Sequence, residues 1–109
     1  MKNQKLGEFE ELVLLAIGAL KEEAYTVSIQ QILEEYTSRS TSMGALYTSL
    51  ERLTIKKFLS SKMSEPTTER GGKSKRVYQV TYAGEVALRD ARAVRESLWK
   101  QFNWSPSWG

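Results

Sequence analysis

The chain has 109 residues, 16 Lys/Arg against 13 Asp/Glu, and neither cysteine nor histidine, so it offers one domain's worth of sequence with room for a single modest core. The missing residue types exclude disulfides, thiol nucleophiles, histidine-based triads and nearly all zinc sites, and neither an enzyme nor a cofactor is expected. The net charge of +3 hides an asymmetry, because residues 1–37 sum to −4, residues 38–80 to +6 and residues 81–109 to +1; this suits a surface that meets a polyanion, or more plainly a solvated charged face.

Residues 7–23, GEFEELVLLAIGALKEE, read as a first helix. Glu8, Glu10 and Glu11 in its first turn oppose the helix dipole, and Lys21 stands near its end. Phe9, Leu12, Val13, Leu15, Ala16, Ile17 and Leu20 cover more than half the circumference, which predicts a helix sandwiched between other elements. The apolar run Leu12–Leu20 has nine residues against the ~20 of a membrane span. The polar, mixed-charge residues ahead of it do not make a signal peptide, and a cytoplasmic protein with no membrane association is expected.

A short second helix follows in AYTVSIQQILEEY, with Val27, Ile29, Ile32, Leu33 and Tyr36 at helical spacing and either Thr26 or Ser28 as N-cap, Ser28 forming a capping box with Gln31. TSRSTS breaks the period with small hydroxyl residues. A third helix is predicted over Ser42–Lys57, where Leu46, Leu50 and Leu53 at i, i+4, i+7 form the buried stripe. Gly44, Ala45, Thr48 and Arg52 fall on the opposite side, a small polar face with one arginine. FLSSKMSE and SKRVYQVT then read as two strands joined by PTTERGGK, whose Pro66 and Gly71–Gly72 favour a long-tipped hairpin. The last helix, TYAGEVALRDARAVRESLWKQF, carries Ala83, Ala87, Ala91, Val94, Leu98 and Phe102 on one stripe, like a helix-pairing seam. Trp104 and Trp108 lie in the tail beyond it.

Helix, helix, helix, hairpin, helix is the layout of a winged helix-turn-helix, an α+β, mainly α fold. Its third helix would be the recognition helix and the hairpin the wing. Small residues at 44, 45 and 48 let a helix backbone sit deep in a ~12 Å major groove; equally, they are what the solvent face of any core helix looks like. The hairpin tip ERGGKSKR keeps only the fragment GGKS of a phosphate-binding enzyme loop, and a strand follows it where such a loop needs a helix. Glycines that permit close approach, with Arg70, Lys73, Lys75 and Arg76 around them, suit a phosphate backbone instead. Trp99, Trp104 and Trp108 plug a core or a dimer seam, or present a surface that stacks a planar ligand. The pairs Glu22–Glu23 and Glu34–Glu35 do not face each other on a helix and read as solvated.

LGEFEELVLLAIGAL, EEAYTVSI, SMGALYTSLERL, EPTTERGGKSKRVYQVT and the AG of TYAGEVAL together resemble the PadR family of bacterial transcription regulators, in the short form with a single C-terminal helix. The resemblance runs unbroken from residue 6 to about residue 90 and is most specific in GALYTSLERL followed by ERGGKSKRVY. It implies a homodimeric winged-helix protein that binds double-stranded DNA, usually a repressor of a nearby gene acting at a palindromic operator, often released by a small molecule. Carried over by position, Gly44, Ala45, Tyr47, Thr48 and Arg52 belong to the recognition helix, and Arg70, Gly71, Gly72, Lys73, Lys75 and Arg76 to the wing. The domain layout expected is a DNA-binding unit over 6–80, a dimerisation helix over 81–103 and a tail over 104–109. Ala87, Ala91, Val94, Leu98 and Phe102 are then the dimer seam, and Trp99 is the candidate residue for an aromatic effector. The chain departs from the family where Thr26 and Lys57 replace Gly, Tyr82 replaces Pro and Ile55 replaces a charged residue. Lys57 must therefore either take a left-handed conformation or let the third helix end differently. The alternative is a winged helix used as a protein-interaction module without operator DNA, contacting its partner through Ile55 and the tryptophan tail.

Overall fold

The computed structural model describes residues 5–64 and 74–103. They form α1 (Glu8–Leu20), a 3₁₀ turn (Lys21–Glu23), α2 (Thr26–Thr37), α3 (Met43–Ile55), β1 (Leu59–Met63), β2 (Arg76–Val80) and α4 (Tyr82–Gln101), the element order of a winged helix-turn-helix. The expected hairpin tip with Pro66, Arg70, Gly71, Gly72 and Lys73, and the tail with Trp104 and Trp108, lie outside the described residues.

The core is where the helical stripes meet. Leu46, Leu50 and Leu53 of α3 are buried as their spacing requires, against Val13, Leu14 and Ile17 of α1 and Ile29 and Leu33 of α2. The two strands are antiparallel, with Leu59 opposite Val80, Ser61 opposite Tyr78 and Met63 opposite Arg76. The Tyr78 N–H donates to the Ala24 carbonyl at 3.0 Å, so the segment before α2 lies along the other edge of β2 and takes up a backbone donor that would otherwise be open.

Three features differ from the sequence reading. α1 lies among α2, α3, β2 and α4 but keeps a wet side: Leu12 and Leu15 are exposed, at 37% and 50%, while Glu10 is buried. Lys21 stands at its end as expected, as the C-cap residue at φ 56°. α2 starts from Tyr25 as N-cap, so neither Thr26 nor Ser28 caps it; the Ser28 hydroxyl instead accepts from the Tyr25 N–H at 2.9 Å and donates to the Glu23 carbonyl. The helix's fully buried stripe is accordingly reduced to Ile29 and Leu33, and Val27 and Tyr36 face outward. α3 ends at Ile55, not Lys57, and Lys57 takes the left-handed conformation at φ 69°. Lys57 N–H then bonds the Thr54 carbonyl and Phe58 N–H the Leu53 carbonyl, both at 3.0 Å, the paired bonds of a Schellman ending.

That ending is tied directly to α4. Thr81 Oγ1 donates to the Lys57 carbonyl at 2.8 Å and Thr81 N–H to the Phe58 carbonyl at 3.0 Å, while the same hydroxyl accepts from Gly84 N–H as the cap of α4. Gly84 is buried, and a Cβ there would collide with the Phe58 carbonyl oxygen and come within 2.9 Å of Val80 Cγ1. The glycine is required for room, since backbone cannot swing away as a side chain can. From the C-cap of α3, Lys56 Nζ donates to Glu10 Oε1 at 2.8 Å and to the Lys5 carbonyl at 2.7 Å. Burial alone would raise the Glu10 pKa, but the bonds from Lys56 and the Gly7 N–H and the charges of Lys56 and Arg52 outweigh it and hold the carboxyl below its ordinary value.

Two predictions follow from these contacts. Gly84→Ala should cost on the order of 2 kcal/mol through overpacking, whereas Lys57→Gly should add roughly 1 kcal/mol by relieving the left-handed residue; urea titrations of both variants measure this. Because the folded pKa of Glu10 is depressed, its contribution is complete above the unfolded carboxylate range and lost as pH falls through the folded value. Glu10→Ala should therefore cost about 2 kcal/mol near neutral pH, and the gap to the unsubstituted protein should narrow in acid, as followed by denaturation across pH.

Candidate nucleic-acid interface

The turn between α2 and α3 is fixed by side chains of α2. Gln30 Nε2 donates to the Thr41 carbonyl at 2.8 Å, and Glu34 Oε2 accepts from the Thr41 N–H at 2.7 Å, so both backbone groups of one turn residue are satisfied. Glu34 is therefore not the solvated carboxylate its sequence position suggested, although Glu35 is exposed. Ser42 then caps α3 by accepting from Ala45 N–H at 3.0 Å. With both ends fixed, at Thr41–Ser42 and at the Schellman turn, α3 leaves little freedom in which residues it turns outward.

Gly44, Ala45, Tyr47, Thr48 and Arg52 are all exposed, opposite the buried leucines. A Cβ on Gly44 would meet nothing within 4 Å, so no intramolecular packing asks for glycine there. The outward surface of α3 is thus a shallow strip with Tyr47, 54% exposed, and Arg52 as its large groups. Ile55 continues the surface at 70% exposure.

Arg76 and Lys75 stand at the base of the hairpin. Arg76 Nη1 donates to Ser61 Oγ across the strand pair at 2.9 Å. Lys75 is pinned through its backbone, its N–H to Ser64 Oγ at 2.9 Å and its carbonyl to Ser64 N–H at 2.7 Å, and its ammonium sits 4.9 Å from the centre of the Tyr25 ring. That cation–π contact joins the hairpin to the start of α2. Tyr25 had no part in the sequence reading beyond lying in the second helical segment, and nothing in its local spacing signals a partner fifty positions away. Burial pushes the Tyr78 pKa up, while Arg76 opposes this and Tyr47 adds to it. Of the expected wing, Arg70, Gly71, Gly72 and Lys73 lie outside the described residues.

The expected dimer seam is a surface in the isolated chain. Ala87 and Ala91 are half-buried, while Val94, Leu98 and Phe102 are exposed. Trp99 is 58% exposed and meets Phe102 edge-on, with ring centres 5.5 Å apart at 68°, a geometry favoured by ring quadrupoles. Beside this stripe, Leu6, Phe58, Ala83, Ala87, Ala91 and Val94 line an open groove of ≈ 820 Å³ between the N-terminal segment and α4. Among the described residues there is no group of three or more acidic side chains that could hold a metal, and no helix long and apolar enough to cross a membrane.

Comparison with known proteins identifies this arrangement. The family model described as "Transcriptional regulator PadR-like family" matches residues 13–90. Among solved structures, a PadR-like transcription factor from Bacteroides fragilis is 30% identical, with 85% of this chain and 84% of that one aligned at a TM-score of 0.69. RosR from H. salinarum is 26% identical over 95% of this chain and 84% of that one, TM-score 0.63. A PadR family transcriptional regulator from Eggerthella lenta shares the fold at a TM-score of 0.65, with 24% identity over 86% and 81%. No curated protein matches the chain.

Proposed function

The chain belongs to the PadR-like family of transcriptional regulators, not to an enzyme family, and we propose that it acts as a homodimeric repressor that binds a palindromic DNA operator. The observation that carries this reading is the division of α3 into a buried leucine stripe and a small, exposed opposite face, on a helix followed directly by the hairpin whose base carries the exposed Lys75 and Arg76. In this reading Gly44, Ala45, Tyr47, Thr48 and Arg52 enter the major groove, where the small residues admit the backbone and Arg52 reaches a guanine edge or a phosphate. Arg70, Gly71, Gly72, Lys73, Lys75 and Arg76 lie along the phosphate backbone and supply affinity with little sequence information. Lys75 keeps its ammonium available for this, because a cation over a ring face still has donors turned toward solvent.

The dimer forms through Ala87, Ala91, Val94, Leu98 and Phe102. A stripe of exposed large apolar residues on a 20-residue helix is costly in water unless another surface covers it. A second copy does so with two-fold symmetry, which in turn demands a palindromic site. The exposed leucines of α1, Leu12 and Leu15, lie on the side of that helix away from the core. A small aromatic effector that stacks on Trp99 at this seam would release the operator, and the exposed indole with its edge-packed Phe102 supports that second reading. The competing use as a protein-interaction module draws on Ile55, which stands exposed at the end of α3.

Selection of bound sequences from a random duplex library should recover a palindrome with half-sites ~34 Å, or a multiple of it, apart; failure to enrich any sequence would favour the interaction module. On the recovered duplex, replacing Lys73, Lys75 and Arg76 together by Ala should weaken binding to every sequence and reduce the salt slope by roughly three. An unchanged slope would remove the hairpin from the interface. Sedimentation should find a dimer at micromolar concentration, and substitution of Leu98 by Glu should dissociate it by placing charges in the apolar seam.

A further inference from the structure

Glu10 and Glu11 are adjacent in the first turn of α1, and because consecutive helical side chains point ~100° apart they serve different neighbours. The buried Glu10 carboxylate accepts from Lys56, the C-cap residue of α3. The Glu11 carboxylate, whose side chain is 15% exposed, accepts from Arg95 Nη2 at 2.7 Å. Arg95 stands in the half of α4 beyond Ala91, where every described residue is exposed, so its guanidinium ties that otherwise projecting half to α1. The first half of α4 is held separately, by Thr81 and Gly84.

We propose that Glu10 and Glu11 form a charged bracket that couples the lean of the second half of α4 to the C-terminal end of α3. The two carboxylates share one rigid turn, so a displacement of Arg95 that carries Glu11 with it also moves Glu10 relative to Lys56. The Glu10–Lys56 bond is short and partly buried, and a shift of about an ångström takes it out of hydrogen-bonding range. Losing it leaves a carboxylate in a poorly solvated site, which makes the arrangement of α3 responsive and not merely adjacent. Lys56 also donates to the Lys5 carbonyl, and the Gly7 N–H donates to the same Glu10 Oε1 that Lys56 reaches. This inference rests on α3 being the recognition helix: whatever occupies the exposed stripe of α4, a second copy or a stacked ligand, would then adjust operator affinity through Arg95, a residue on neither the hairpin nor α3.

The test uses the full chain and begins without DNA. In amide NMR spectra, Arg95→Gln should shift the resonances of residues 52–57, and in a Lys56→Gln background the same substitution should leave them unmoved. Exchanging the charges by combining Arg95→Glu with Glu11→Arg should restore the original positions. No response at residues 52–57, or an equal response in both backgrounds, overturns the bracket. On a duplex recovered by the selection above, Arg95→Gln should weaken binding about fivefold and change binding to an unrelated duplex by less than about twofold. Arg95→Gln combined with Lys56→Gln should bind no more weakly than Lys56→Gln alone, whereas single effects that multiply would overturn the coupling. If the unsubstituted protein binds neither duplex, the DNA-binding reading fails, and the NMR comparison still decides the bracket.

Discussion

Two consecutive carbonyls, those of Lys57 and Phe58, hold the working parts of this chain in register. Thr81 donates to both, one through its hydroxyl and one through its backbone, and Gly84 clears the space that lets α4 start against them. At this node the end of α3, the start of β1, the end of β2 and the start of α4 meet within a few residues. A left-handed lysine is tolerated here because the Schellman bonds and the Thr81 contact together over-determine its conformation. The angle between α3, the strand pair and α4 is thus a property of one tightly bonded junction.

The uneven charge takes on a different meaning once the chain is folded. The basic middle stretch contributes the exposed face of α3 and the base of the hairpin, where Lys75 and Arg76 are exposed. Three glutamates of the acidic first stretch take internal partners: Glu10 and Glu11 turn to Lys56 and Arg95, and Glu34 closes the turn before α3. Glu8, Glu22, Glu23 and Glu35 stay exposed.

The leucine stripe of α3, the hairpin and the order of elements were legible in the sequence because each rests on a local period or on turn-forming residues. The exposed face of α3 was legible for the same reason, since whatever is not on a buried stripe of a short helix must point away from it. The apolar coverage of α1 misled: Leu12 and Leu15 look like core by composition, yet only the packing of α2, α3 and β2 decides which side of that helix is covered. The cap of α2 was misplaced because Ser28 can bond in either direction, and the neighbouring Glu23 carbonyl and Tyr25 N–H selected one. Lys57 posed an alternative that spacing could not resolve, and the bonds from Thr54, Leu53 and Thr81 resolved it toward the left-handed form.

By itself, then, the amino-acid sequence determined the elements, their order, the face of α3 left open and the concentration of positive charge beside it. The family resemblance followed from those same residues. The tertiary structure alone decided that Glu10 would find Lys56, Glu11 Arg95, Lys75 the ring of Tyr25, and Thr81 the carbonyls of residues 57 and 58. The reason is physical: helical and strand periods are set by bonds between near neighbours and leave a trace every two to four residues. A contact across 46 or 84 positions leaves no such trace, because it exists only where packing has already brought the two elements together.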